Sequence, residues 1–111
     1  MRKAKATTKY VRISPKKARL AARLIRGLKA EEALIQLTHS GLKGGRLLKK
    51  TLESAIANAE TLEDAKRENL KIAEVRVEEG YRMKRAKSKS RGSQVPVLKR
   101  TSHFTIVLTS V

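Results

Sequence analysis

A basic segment without acidic residues, Arg82 to Arg100, constrains this chain more than any other feature. It reads RMKRAKSKSRGSQVPVLKR, and eight of its nineteen residues are Lys or Arg. Almost no large apolar side chain precedes Val95, so the segment cannot bury a core of its own. Strand-like runs, KIAEVRVEEG and HFTIVLTS, lie on either side of it. Because long connections are uncommon in small domains, the pattern predicts a long β-hairpin that projects from a compact body.

Charge is segregated along the 111 residues, a length that corresponds to one domain. Residues 1–29 hold eleven basic and no acidic side chains, and residues 30–81 hold eight basic and all ten acidic ones. Residues 82–111 hold eight basic side chains and again no acidic one. A net charge of +17 makes a small free domain repel itself, so we expect a polyanionic partner. Nucleic acid is the first candidate and a membrane surface the second, although no apolar run approaches membrane-spanning length.

Hydrophobic periodicity predicts three helices between strands. The first helix begins after the capping pair Ser14 and Pro15 and ends at Gly27. The other helices are expected over 30–39 and about 42–61, and the strands over 5–13, 70–79 and 102–110. We therefore predict an α+β fold, a small three-stranded antiparallel sheet with three helices on one face and a long protruding hairpin over residues 80–101.

The same periodicity predicts which side chains face the core. In the first helix, Lys16, Arg19, Arg23 and Arg26 form one stripe, and Leu20, Ala21, Leu24 and Ile25 are expected to face inward. In the 70–79 strand, Ala73, Val75 and Val77 are expected on one face, with Ile72, Glu74 and Arg76 on the other. Gly44 and Gly45 are expected to loosen the first turns of the third helix.

No pattern typical of an enzyme is present. His39 and His103 are far apart and neither has a metal-ligand spacing, and a chain without Cys offers no thiolate site. The sequence contains neither a GxSxG nucleophile motif nor a phosphate-binding loop. We therefore expect no catalytic residue, no metal and no cofactor.

The basic segments instead favour a nucleic-acid-binding protein. Small residues between the cations of the hairpin let a backbone approach phosphates, and Tyr10 and Tyr81 are the only aromatic residues nearby. This argues against a single-strand reader that stacks bases and favours folded RNA, which is recognised by shape and phosphate contacts. The alternative is an architectural DNA-binding protein whose basic β-arm enters the minor groove. Pro96 lies off the expected tip, where such arms often carry a wedge, and this disfavours the alternative.

Five stretches resemble the ribosomal protein L22 (uL22) family of the bacterial large subunit. They are ISPKKARLAARLIRG at 13–27, LESAIANAE at 52–60, VEEG at 77–80, MKRA at 83–86 and LKRTSHFTIVL at 98–108. The resemblance implies one L22-like domain over residues 1–111 that binds several domains of the large-subunit (23S-type) ribosomal RNA and supports assembly. It also implies a cytoplasmic, ribosomal location without a membrane, with the body near the polypeptide exit. Neighbouring large-subunit proteins are implied partners, and so is the nascent polypeptide, because the hairpin would line the exit tunnel.

The resemblance further implies which residues bind RNA. On the first helix these are Lys16, Lys17, Arg19, Arg23 and Arg26. On the hairpin they are Arg82, Lys84, Arg85, Lys87, Lys89, Arg91, Lys99 and Arg100. The tunnel-lining tip falls on Lys89, Ser90, Arg91, Gly92 and Ser93. His103 begins a strand beside this cationic segment, and we expect it to contact a backbone group or a phosphate.

Overall fold

The fold is taken from a computed structural model that describes residues 3–62, 64–80, 83–88 and 94–110, with residues 83–88 and 94–99 described by their backbone. The strands are β1 (Lys3–Val11), β2 (Leu70–Glu79), β3 (Met83–Ser88), β4 (Gln94–Lys99) and β5 (Ser102–Ser110). The helices are α1 (Pro15–Ile25), α2 (Ala30–His39) and α3 (Lys43–Leu62), with a short 3₁₀ turn at Arg67–Asn69. The α+β prediction is confirmed, and the helices begin and end within two residues of their expected positions.

The body is an antiparallel sheet in the order β1-β5-β2. β5 is the central strand because it pairs with both β1 and β2, and its alternating residues Phe104, Ile106 and Leu108 are fully buried. α3 packs over β1 and β5, and α1 packs over β2. A hydrogen bond from Asn58 Nδ2 to the Lys5 carbonyl, 3.0 Å long, joins α3 to the edge strand β1. α2 packs mainly against α1 and α3, and all three helices share one hydrophobic core with the sheet.

Local signals account for the ends of α1. The Ser14 side chain accepts a hydrogen bond from the backbone N–H of Lys17, and Pro15 occupies the first helical position. Gly27 has a φ of +76°, a left-handed conformation that glycine adopts without a side-chain clash. The sequence prediction of both ends of this helix is confirmed.

Leu20 and Leu24 do not face the core, so the predicted inner face of α1 is wrong at these two positions. They are 51% and 42% exposed, and the buried face consists of the small residues Pro15, Ala18, Ala21 and Ala22 together with Ile25. α1 lies very close to α3, since a Cβ added at Gly44 would stand 3.3 Å from the Ala18 Cα. Leucine is too large for this interface, so the helix turns its alanines inward and leaves both leucines outside.

The two glycines at the start of α3 are packing positions. Gly44 and Gly45 are both buried. A Cβ at Gly45 would collide with the Ser40 hydroxyl and lie 3.2 Å from the Leu37 carbonyl oxygen. This close approach offsets the low helix propensity of glycine, and the expected loosening of this end stays a prediction.

The predicted faces of β2 are wrong at Ile72 and Ala73 because the strand contains a bulge. The register between β2 and β5 shifts between Ile72 and Glu74, so Ala73 is an extra residue. An extra residue reverses the alternation, and as a result Ile72 shares the buried face with Val75 and Val77 whereas Ala73 is exposed.

β3 and β4 form a separate two-stranded antiparallel ladder, with Met83 opposite Lys99 and Ser88 opposite Gln94. The ladder joins the body where the Gly80 N–H donates to the Thr101 carbonyl oxygen over 2.9 Å. The molecule measures 62 × 25 × 16 Å along its principal axes. This arrangement is the predicted projecting hairpin.

Candidate nucleic-acid interface

The exposed side of α1, together with the residue that caps its C-terminal end, carries five cations. Lys16, Lys17, Arg19, Arg23 and Arg26 are all exposed, and we call these five residues the α1 cationic surface. The helix contains no Asp or Glu that could pair with them along its own face. The alanines at 18, 21 and 22 form the buried face of the helix. The cations occupy positions on the opposite, solvent-facing side.

The helix dipole adds to this positive charge. A carboxylate in the first turn of a helix is favourable because the N-terminal end of the dipole is positive, but here the first turn carries Lys16 and Lys17. Such a placement disfavours the isolated helix and raises the local positive potential. The same potential attracts an anion, in particular a phosphate.

Arg19 is hydrogen-bonded to the sheet through one of its N–H groups. Its Nη2 donates a hydrogen bond to the carbonyl oxygen of Val77 in β2, at 3.1 Å. A guanidinium has five N–H donors in a planar fork, so one such bond leaves capacity for a phosphate. The bond holds the side chain at the seam between α1 and β2 and lowers the entropy that binding would otherwise cost.

The two exposed leucines belong to the same side of the helix as the cations. At ~100° per residue, Leu20 and Leu24 lie between Arg23 and Lys16 on one side and Lys17 on the other. The surface is therefore a mixed one, with an apolar strip bordered by charge. Sequence periodicity missed this because leucine at core-like spacing usually indicates burial.

Further exposed cations lie on the N-terminal strand and were not among the predicted binding residues. Lys3, Lys5 and Lys9 are exposed on β1, and Arg12 is exposed just after it. The signal that could have identified them is the same lack of acidic residues over residues 1–29. Elsewhere among the described residues, Arg67 pairs with Glu60, and Arg76 pairs with Glu74 and Glu78.

His103 contacts the backbone of its own chain, and its predicted contact with RNA stays a prediction. Its Nδ1 accepts a hydrogen bond from the backbone N–H of Tyr10, at 3.1 Å, and its ring meets the Tyr10 ring edge to face at 4.8 Å. This contact ties β1 to β5 beside the base of the hairpin.

The hairpin residues are placed by their backbone. Lys84, Arg85 and Lys87 lie in β3, Lys99 lies in β4, and Arg100 is exposed at the return to the body. The remaining predicted hairpin residues, Arg82, Lys89, Ser90, Arg91, Gly92 and Ser93, lie outside the described residues. α1 and the hairpin are thus separate cationic segments of one chain.

Within the described ranges, no group of three or more His, Cys, Asp or Glu side chains could hold a metal ion. In the same ranges, no helix has the length and apolar character that crossing a bilayer requires.

Comparison with known proteins shows to which class of protein this chain belongs. The family model described as "Ribosomal protein L22p/L17e" matches residues 6–109, so this is a ribosomal protein, a structural component and not an enzyme. The chain belongs to the ribosomal protein L22 family. It is 65% identical over 108 residues to the large ribosomal subunit protein uL22 of Protochlamydia amoebophila, covering 97% of each chain. It is 59% identical over 104 residues to the large ribosomal subunit protein uL22 of Chlamydia pneumoniae, covering 94% of each.

Proposed function

We propose that this chain is a structural constituent of the large ribosomal subunit that binds the large-subunit (23S-type) ribosomal RNA. The observation that carries the proposal is the α1 cationic surface, five exposed cations on a helix with no carboxylate. Phosphate contacts supply most sequence-independent binding to nucleic acid, and an acid-free cationic face supplies them without competition from its own chain. The relatives are named as large ribosomal subunit proteins, and these names support the large subunit as the particle in question.

Two parts of one domain, residues 1–111, would have different roles in the subunit. The body would lie near the polypeptide exit and hold RNA through α1, and residues 80–101 would extend along the exit tunnel beside the nascent polypeptide. The elongated shape, 62 Å in its longest dimension, supports a role in which one protein reaches several RNA domains. Contacts with several RNA domains would also support assembly, because they hold segments together that are distant in the RNA sequence. Neighbouring large-subunit proteins complete the set of partners.

An architectural DNA-binding role is less consistent with the hairpin. Pro96 is paired with Ala86 in the ladder of β3 and β4, and two further pairs separate it from the end of β4 nearer the turn. A wedge that opens a base step must stand at the tip, and Pro96 does not.

Protection mapping of large-subunit RNA with and without the protein tests the proposal. We expect a discrete set of nucleotides to become protected by the wild type. The variant with Lys16→Glu and Arg23→Glu should lose the protections due to the body and keep those due to the hairpin. The matched control carries Lys29→Glu and Lys66→Glu, which make the same charge change at exposed positions beside acidic residues.

The control should protect the same nucleotides as the wild type. If wild type and charge-reversed protein gave the same footprint, the α1 cationic surface would not be the RNA-binding face. If the wild type gave no footprint on large-subunit RNA, the proposed function itself would be wrong.

A further inference from the structure

Tyr10 occupies an unusual place on the edge strand. The register of β1 against β5 runs from Thr8 opposite Phe104 to Val11 opposite Ser102, so Lys9 and Tyr10 together face the single residue His103. This is a β-bulge, and bulges re-aim a side chain at the edge of a sheet. The Tyr10 side chain is directed outward and is 62% exposed.

The backbone of Tyr10 is strained. Its φ is +58°, in the left-handed region that bulky L residues rarely occupy. Glycine or asparagine would adopt this conformation more readily. A tyrosine that remains in such a conformation on the surface, where it buries little, needs another reason to be there.

The neighbouring groups hold the ring in one position. The Tyr10 N–H is bonded to His103 Nδ1, and the two rings are inclined by 85° with centroids 4.8 Å apart. In this edge-to-face arrangement His103 covers at most one face of the tyrosine ring. His103 is in turn held close to the backbone, since a Cβ added at Gly80 would stand 3.2 Å from its Nε2. The free face of the phenol is therefore fixed before any ligand arrives.

Several exposed cations lie close to Tyr10 along the chain or close to its partner His103. Lys9 and Arg12 flank Tyr10 in the chain, Arg100 comes three residues before His103, and all three are exposed. Glu78 lies opposite His103 in the strand register, and its Oε1 is 3.8 Å from Nη1 of Arg76. An aromatic face bordered by cations is the combination that holds an unpaired base together with its phosphates.

We propose that Tyr10 is a stacking platform for one unpaired nucleobase of the bound RNA, positioned by the bulge and by His103. This rests on the proposed function and adds an interaction of different chemistry to it. The α1 cationic surface and the hairpin bind phosphates, whereas Tyr10 captures a base extruded from the RNA at the base of the hairpin. A single platform is compatible with recognition of folded RNA, because loops and bulges present individual unstacked bases.

The test compares full-length wild type with Tyr10→Gly, Tyr10→Phe and Lys9→Gln in binding to large-subunit RNA over a series of salt concentrations. Tyr10→Gly removes the ring and also the strain, so its melting temperature should not fall. Its affinity should fall about 5- to 150-fold, the range that base stacking on an aromatic ring contributes. The slope of log affinity against log salt should stay that of the wild type, because every cation that binds a phosphate is still present.

The other two variants separate stacking from charge. Tyr10→Phe keeps the ring and should bind like the wild type. Lys9→Gln removes a positive charge, so its weaker binding should come with a shallower salt slope. Base-specific chemical probing should show one nucleotide that wild type and Tyr10→Phe protect and Tyr10→Gly leaves reactive.

If Tyr10→Gly bound RNA as tightly as the wild type, the stacking proposal would be wrong. The proposed function would still hold, because the wild type binds. A melting temperature of Tyr10→Gly below that of the wild type would also overturn the stacking proposal, since the ring would then serve the fold. Failure of the wild type itself to bind large-subunit RNA would instead refute the proposed function.

Discussion

Gly80 shows how a single residue fixes the base of the hairpin. Its N–H donates to the Thr101 carbonyl oxygen, and its Cα faces the Thr101 side chain and the His103 ring. A Cβ there would stand 2.6 Å from Thr101 Oγ1 and 3.1 Å from the His103 ring. Glycine is favoured at this position because the side chains of Thr101 and His103 approach the backbone just after β2 very closely.

Gly80→Ala should therefore lower the free energy of unfolding by about 1–3 kcal/mol, the usual penalty for forcing an atom into a packed site. Urea unfolding followed by circular dichroism measures this. In a Thr101→Ala background the same substitution should cost less, because the nearest obstructing atom is gone. Strictly additive effects of the two substitutions would show that the close approach of Thr101 does not determine the residue at position 80.

Among the elements, α1 has some features that its sequence predicts and others that depend on tertiary packing. Its capping residues and its cations follow from local chemistry, which the sequence contains, and the structure confirms its ends. The exposure of Leu20 and Leu24 depends instead on Gly44 and Ala18, which meet only when α1 and α3 are packed. Periodicity identifies two faces of a helix but not how close the neighbouring helix comes.

β2 has the same kind of limit. An alternating pattern predicts its faces until one extra residue reverses them, and the bulge at Ala73 is specified by its pairing with β5. β5 was predictable because it is central, unbroken and apolar on one face. The cations of α1 were predictable as a group, but their mixing with leucines and the bond from Arg19 to Val77 are tertiary features.

The packing of α1 gives a prediction at this scale. Leu20→Gln combined with Leu24→Gln should change the free energy of unfolding by less than about 1 kcal/mol, as is usual for exposed positions. Ala21→Leu adds a larger side chain to a fully buried position and should destabilise by about 1–3 kcal/mol. Thermal and urea unfolding compare the two variants. Greater damage from the glutamine pair would mean that the leucine face of α1 is the packed one.

Across the whole molecule, core and charge occupy different segments. The buried apolar residues of the described chain come from the sheet β1-β5-β2, from the three helices and from Ile13 between them. The hairpin segment contributes eight cations and no acidic residue. The body should thus fold without the end of the hairpin, and the two parts should have separable roles.

Deletion of residues 87–93 tests this separation. The shortened protein should melt close to the wild type, because the deletion leaves β1, β2, β5 and all three helices untouched. It should still sediment with large subunits through α1, and the passage of nascent chains or the binding of small molecules in the tunnel should change. Failure to fold, or failure to enter subunits, would show that body and hairpin depend on each other.

The central claim is that acid-free cationic faces bind the phosphates of ribosomal RNA. Its most direct test is the salt dependence of binding to large-subunit RNA, measured for the wild type, for Lys16→Glu with Arg23→Glu, and for the control Lys29→Glu with Lys66→Glu. Counterion release predicts a steep negative slope of log affinity against log salt for the wild type and the control. The α1 variant should bind more weakly at every salt concentration, with a slope shallower by about 1 for each phosphate that is no longer neutralised. A wild-type affinity that hardly changes with salt, or an equal loss of affinity in the control, would contradict the claim.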